Sequence, residues 1–89
     1  MLRITPITYT QDETILKIEG RIDHSNMQLL EREMQQRSQS TECLVLELKG
    51  LKHIDRESIT MLKQWPGKQL ILRGGTMFVR ALLTTHGLA

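Results

Sequence analysis

The sequence predicts an α/β domain in which a four-stranded, mostly parallel mixed sheet combines with about three helices in the order β-β-α-β-α-β-α. Four short segments alternate apolar and polar residues or are continuously apolar, and three segments repeat apolar residues every three to four positions. After an initial pair of strands, the two kinds of segment alternate, which is typical of parallel strands joined by helices. The 89 residues are enough for a single domain, 1–89.

The first two predicted strands form a hairpin. Leu2 and Ile4 alternate with polar residues, and Pro6 suits the edge of a sheet because it has no backbone N–H. The polar residues 11–13 form the turn that leads into a second strand at 14–19.

A capping box predicts where the first helix begins. Ser25 is the expected N-cap, and Gln28 lies at the third helical position after it. Met27, Leu30 and Met34 then share one face of the helix, which we expect to pack on the sheet.

The stretch from 42 to 62 is the centre of the predicted fold. It contains the strongest strand pattern of the chain, 43–48, and a second short apolar step, 51–54, which ends at Asp55. After Asp55 the apolar period changes to that of a helix, with Ile59 and Leu62 on one face.

The last third of the chain predicts a short buried strand and a helix. Because the residue before a proline is driven out of the helical region, Trp65–Pro66 ends the second helix after about two turns. The strand covers 69–73, and Thr76 caps the last helix. Gly87 suits a left-handed C-cap, with Leu88 folding back on the helix.

Composition and spacing exclude several classes of function. A net charge of +2 is too small to indicate nucleic acid binding, and the basic residues are scattered, with no patch interleaved with aromatic residues. From the sequence we expect neither a signal peptide nor a membrane-spanning stretch, and the single Cys43 suits a reducing cytoplasm. His24, His53 and His86 lie in separate elements without paired ligand spacing, so we expect neither metal nor cofactor.

Catalysis is also not expected. Ser58 could be combined with a histidine and an aspartate into a triad, but nothing in the spacing places an imidazole beside it. We therefore predict no catalytic residues.

Three turns should meet where the parallel strands end. They carry Asp23 and His24, then residues 55–58, then residues 74–76. Three helices also begin at that edge, but carboxylates at 23, 55 and 57 would repel an anion such as phosphate. Asp55 and Glu57 either stabilise the start of the second helix or contact a partner, and the sequence leaves both interpretations open.

Several of these segments carry a resemblance. Gly20-x-Ile22-Asp23, the strand 46–48, Leu51 with Ile54-Asp55, and Gly87-Leu88 occur in the order seen in the STAS domain, the fold of bacterial anti-sigma-factor antagonists. In that family the turn usually reads Asp-Ser-Ser-Gly or Asp-Thr-Ser-Gly, and a partner kinase phosphorylates the second of the two middle residues. The resemblance places Asp55 on the family aspartate, Arg56 on the first serine, Glu57 on the phosphoacceptor and Ser58 on the glycine.

The resemblance implies a non-enzymatic protein-binding module in the bacterial cytoplasm, with a role in transcription regulation. Its partner would be an anti-sigma factor or a similar serine kinase, and phosphorylation at position 57 would not switch it. Ser58 would be an off-register candidate acceptor. The alternatives are a subunit that contacts the ATPase of a lipid-transport complex, or a small-ligand or nucleotide-binding domain. The residues expected to contact the partner are Asp23, His24, Asp55, Arg56, Glu57, Ser58, Thr60 and Lys63.

A homodimer through the carboxyl-terminal helix is a further expectation. STAS domains usually continue past the Gly-Leu step with another strand and helix, which cover part of the domain. Without that cover, an apolar helix face would be open to a second copy. The residues of that face are Phe78, Val79, Leu82 and Leu83.

Overall fold

The computed structural model describes residues 1–67 and 69–88. It confirms the predicted fold class and the predicted order of elements. The strands are β1 (Leu2–Tyr9), β2 (Glu13–Ile22), β3 (Cys43–Ile54) and β4 (Gln69–Arg73), and the helices are α1 (Met27–Ser38), α2 (Arg56–Lys63) and α3 (Met77–Thr85).

The four strands lie side by side in chain order, β1-β2-β3-β4. The hairpin partner β1 is antiparallel to β2, whereas β2, β3 and β4 run parallel to one another. The ends of these three parallel strands therefore meet at one edge of the sheet, as the sequence predicted. We call it the carboxyl edge. All three helices begin there.

The core lies between one face of the sheet and the three helices. Alternate residues of β2 and β3 form an apolar cluster with the buried residues of each helix, and we call this side the helix face. Residues in between point to the opposite side, the open face, where Val45 is buried but lies outside that cluster. The main members of the core are Leu16, Ile18, Leu44, Leu46, Leu48, Leu30, Met34, Ile59, Leu62, Val79 and Leu83.

Two strands differ from the prediction. The segments 43–48 and 51–54 form one continuous strand. The pairing of β2 with β3 shifts register between Lys17 and Glu19, and this shift accommodates Lys49–Gly50 within the strand. The expectation that β4 is buried was wrong. Its residues alternate between exposed and half-buried, because it is the edge strand of the sheet.

Gly20 allows the first residue of the chain to lie against the end of β2. Its φ is +97°, and a Cβ at this position would overlap the carbonyl oxygen of Met1. The same oxygen accepts a hydrogen bond from Arg21 N at 2.8 Å. Met1 is thus held at the carboxyl edge.

The end of α3 confirms the predicted C-cap. Gly87 has a φ of +84°, its N–H donates to Thr84 O at 3.0 Å, and the Leu88 N–H donates to Leu83 O at 2.8 Å. These two bonds define a Schellman motif, and they let Leu88 pack against the core.

The face of α2 that packs on the sheet can be tested with a matched pair of substitutions. Leu62 is 3% exposed and Leu29 on α1 is 53% exposed. We expect Leu62→Ala to lower the free energy of unfolding by about 2–5 kcal/mol, because it leaves a cavity. Leu29→Ala should change it by about 0.5 kcal/mol or less. Urea unfolding measures both, and equal losses would contradict the assignment of faces.

Candidate partner-binding site

The Asp55 carboxylate links two of the turns at the carboxyl edge. Asp55 is the N-cap of α2, and its Oδ1 accepts a hydrogen bond from Ser58 N at 2.9 Å. Its Oδ2 accepts a bond from His24 N in the β2–α1 turn, also at 2.9 Å. The Asp55 N–H donates to Ile22 O at 3.0 Å. One residue thus caps a helix and fixes the neighbouring turn beside it.

The β2–α1 turn closes on Asp23 rather than as a capping box. Asp23 Oδ1 accepts bonds from both the backbone N–H and the hydroxyl of Ser25. The helix begins at Met27 with Asn26 as N-cap, and Asn26 Oδ1 accepts from Asp23 N at 2.9 Å. The prediction that Ser25 caps α1 together with Gln28 was therefore wrong, because Asp23 holds the Ser25 hydroxyl.

Both aspartates ionise more readily than usual. The hydroxyl and the N–H of Ser25 lower the pKa of Asp23. Burial raises the pKa of Asp55, but the nearby Ser58 side chain and the N–H groups of Ser58 and His24 lower it by more. Both carboxylates are therefore held in the charged form that their donors require.

Ser58 is not part of the surface. It is 0% exposed, which corrects its place among the residues that contact a partner. Although its side chain lies near enough to Asp55 to affect the pKa of that group, its hydroxyl makes no hydrogen bond of normal geometry with any described residue. The hydroxyl therefore lies inside the fold, and no imidazole of the described residues is hydrogen-bonded to it.

The outer side of α2 carries the other predicted contacts. Arg56, Glu57, Thr60 and Lys63 are all exposed there, as is His24 across the edge. Glu57 and Thr60 also line a groove of about 450 Å³ between α1 and α2. The groove is lined by Met27, Glu31, Glu57, Thr60, Met61, Gln64 and Pro66.

Two apolar residues are exposed at the start of α3, at the same carboxyl edge. Met77 is 91% exposed and Phe78 is 57% exposed. The Phe78 ring stacks against His53 near the end of β3, with 6.1 Å between ring centroids. The sequence placed Phe78 on the apolar face of α3, and His53 was considered only as a metal ligand or triad member; neither the exposure of Met77 nor the contact between Phe78 and His53 was predicted. The sequence does contain a signal for this exposure. Met77, Phe78 and Val79 are consecutive apolar residues of a helix, so they point in different directions, and only Val79 is buried in the core.

Two kinds of site are not found in residues 1–67 and 69–88. No three His, Cys, Asp or Glu side chains are grouped so that they could hold a metal ion. None of the helices in this part of the chain is long and apolar enough to span a membrane.

Comparison with known proteins gives a family and a fold. The family profile of the STAS domain matches residues 5–83. The structure is similar to that of the anti-sigma factor antagonist SpoIIAA in its unphosphorylated form, with a TM-score of 0.77 and 15% identity over 97% of this chain and 82% of that chain. It is also similar to the Bacillus cell fate determinant SpoIIAA in the phosphorylated form, with a TM-score of 0.63 and 14% identity over 97% of this chain and 85% of that chain. No curated protein matches the sequence.

The lowered pKa of Asp55 predicts an acid-dependent loss of stability. Because its pKa is lower in the folded state, the stabilisation is present above the unfolded value of about 3.9 and is lost as the pH falls through the folded pKa. Asp55→Asn retains a capping side chain but removes this titration. Urea unfolding from about pH 7 to about pH 2 should show a shallower decline for the variant.

Asp12 provides the control for this measurement. It lies exposed in the β1–β2 turn, and its side chain makes none of the hydrogen bonds found among the described residues. Asp12→Asn should therefore follow the wild-type curve. A wild-type curve that coincides with that of Asp55→Asn over the whole pH range would show that ionisation of Asp55 contributes no stability, and would contradict the prediction.

Proposed function

This chain belongs to the STAS domain family, and we propose that it is an interaction module of the anti-sigma-factor-antagonist type that acts without phosphorylation at position 57. STAS domains with this fold are generally non-enzymatic interaction domains. The proposed surface is the carboxyl edge together with the outer side of α2.

The observation that carries this proposal is a set of exposed polar side chains on α2 whose backbone is held in place by hydrogen bonds. Arg56, Glu57 and Lys63 take part in none of the ion pairs of the described residues, so their charges are available to a partner. The turn beneath them is fixed by the two bonds that Asp55 accepts. A surface that is already ordered loses little conformational entropy when it binds.

The partner that fits this proposal best is an anti-sigma factor or a similar serine kinase in the bacterial cytoplasm. Support comes from the family and from the likeness of fold to SpoIIAA, which is described as an anti-sigma factor antagonist. The module would then regulate transcription by competing for the anti-sigma factor.

Position 57 distinguishes this module from one that a kinase switches. The resemblance gives the phosphoacceptor position to Glu57, which has no hydroxyl, and the neighbouring Ser58 is fully buried. A carboxylate carries one negative charge, whereas a phosphoserine carries about −1.5 to −2 and has three acceptor oxygens. Glu57 therefore presents a fixed, weaker version of the modified surface, and we expect a partner that tolerates or requires an acid there.

A second candidate partner, the ATPase of a lipid-transport complex, would use the same exposed edge. Measuring binding to the ATPase and to the anti-sigma factor separately distinguishes the two partners. A nucleotide or other small anion has less support. Asp55 occupies one N–H at the start of α2, and Thr76 occupies that of Val79 at the start of α3. The carboxylates of Asp23 and Glu57 lie at the same edge and would repel an anion.

The expected homodimer through α3 has a smaller surface than the sequence indicated. Val79 and Leu83 are fully buried in the core, which leaves Phe78 and Met77 as its strongly exposed apolar residues. These two lie at the carboxyl edge, beside the proposed partner surface. A Phe78→Lys variant separates dimerisation through α3 from any other arrangement of two copies.

The absence of a switch can be tested with a serine kinase of the anti-sigma type. Wild-type protein should incorporate no phosphate, whereas Glu57→Ser restores a hydroxyl at the exposed position and should be phosphorylated. Intact-mass spectrometry measures both. Stoichiometric phosphate on Ser58 of the folded wild-type protein would contradict the proposal.

The partner surface can be tested with two identical charge reversals. Glu57→Lys lies on the proposed surface, and Glu42→Lys changes an exposed residue in the loop before β3, at the opposite edge. With a purified anti-sigma factor of the same organism, we expect Glu57→Lys to weaken binding at least about tenfold, or 1.4 kcal/mol, through like-charge repulsion or a lost ion pair. Glu42→Lys should bind like the wild type. Calorimetry that finds both variants unchanged would remove the carboxyl edge as the site.

A further inference from the structure

The two outer strands of the sheet differ in how well they are protected from pairing with another chain. The β1 edge has Pro6, which offers no N–H, and a register shift between Pro6 and Thr8. Arg37 covers the end of that strand, with its guanidinium carbon 4.6 Å from the centre of the Tyr9 ring. Proline and β-bulges are two of the means by which proteins block a sheet edge, and covering the edge is a third.

The β4 edge has none of these features among Gln69–Arg73. The strand has no proline, pairs with β3 in unbroken register, and receives no described backbone hydrogen bond from outside the sheet. The N–H and C=O groups that point away from β3 are therefore open to another strand.

Apolar side chains accompany this free edge on both faces of the sheet. Ile71 is 40% exposed on the open face. On the helix face, Leu70 and Leu72 are half-buried and line a hollow of about 250 Å³ together with Arg80 and Leu88. A strand added beside β4 would cover apolar surface on both sides.

We propose that β4 pairs with β4 of a second copy of this chain, antiparallel and centred on Ile71, to give a continuous eight-stranded sheet. The sequence Gln-Leu-Ile-Leu-Arg is self-complementary about its centre, which a two-fold axis requires. Ile71 then lies opposite Ile71 of the other copy on the open face. Leu70 lies opposite Leu72 on the helix face, and Gln69 lies opposite Arg73 at each end.

The strength of this dimer follows from the size of the contact. Five-residue strands form about four to six backbone hydrogen bonds in this register, depending on which residues point outward. They bury less than the roughly 800 Å² per partner of a stable interface, so the dimer is weak and depends on concentration. The dimer uses the β4 edge and the proposed partner binds at the carboxyl edge, so a negative result for one proposal does not contradict the other.

Sedimentation equilibrium with two matched variants tests the pairing. Over about 5 to 500 micromolar, the range in which small interfaces associate, wild-type mass should rise from one chain toward two. Ile71→Lys places two ammonium groups opposite each other and should remain one chain throughout. Ile7→Lys makes the same change on the blocked β1 edge, at a residue that is 54% exposed, and should associate like the wild type. A wild-type mass that stays at one chain overturns the proposal. So does a dimer that persists in Ile71→Lys but is lost in Phe78→Lys.

Cross-linking tests the register itself. In a Cys43→Ser background, Ile71→Cys brings two thiols into directly opposed positions, where Cβ atoms are about 4.5–5.5 Å apart and near disulfide range. Mild oxidation should give a covalent dimer for Ile71→Cys and little for Ile7→Cys. Equal yields from the two cysteine variants would show random collision and overturn the proposal. This test does not use the lysine variants, so it still decides the question if one of them fails to fold.

Discussion

The carboxyl edge depends on the two hydrogen bonds accepted by the Asp55 carboxylate. Three polypeptide segments end or begin there, and α2 is too short to hold its own position, since eight residues are marginal as an isolated helix. By accepting from Ser58 N and His24 N, one side chain satisfies a donor at the start of α2 and ties that helix to the β2–α1 turn. In the β2–α1 turn, a second carboxylate, that of Asp23, accepts hydrogen bonds from Ser25. Surface residues such as Glu57 therefore project from a backbone whose geometry is set by the hydrogen bonds of Asp55.

Much of this architecture could be read from the sequence because it depends on local, periodic signals. Apolar periodicity located all seven elements, and the capping residues Thr76 and Gly87 were identified because each acts within a few positions of itself. The predictions were wrong where a contact with a distant residue, or a competing hydrogen bond, determines the local structure. Asp23 competes for Ser25, so α1 starts later than a capping box implies. The pairing with β2 carries β3 across Lys49–Gly50, and only the order of strands reveals that β4 lies at an edge.

The candidate site was predictable in position but only partly in composition. Parallel strands bring their following turns together, so residues 23–24 and 55–58 were correctly placed at one edge. Spacing alone did not show which of the neighbouring residues Glu57 and Ser58 faces solvent, and the structure places the first outside and the second inside. Likewise, the exposure of Met77 and the contact between Phe78 and His53 depend on how α3 packs over β3, which no local pattern encodes. Buried and solvent-exposed positions are thus adjacent in the sequence of the 55–58 turn.

The contact between Met1 and the Gly20–Arg21 segment has a practical consequence for anyone who labels or immobilises this protein. Since Arg21 N bonds to Met1 O, a fusion partner placed before Met1 would emerge at the carboxyl edge, next to the surface proposed for binding. An amino-terminal affinity tag or a surface-coupled amine would therefore lie beside the surface on which the proposed binding is to be measured. An engineered cysteine at the exposed Ser40, in the loop at the far end of the sheet, leaves the carboxyl edge free of the attachment.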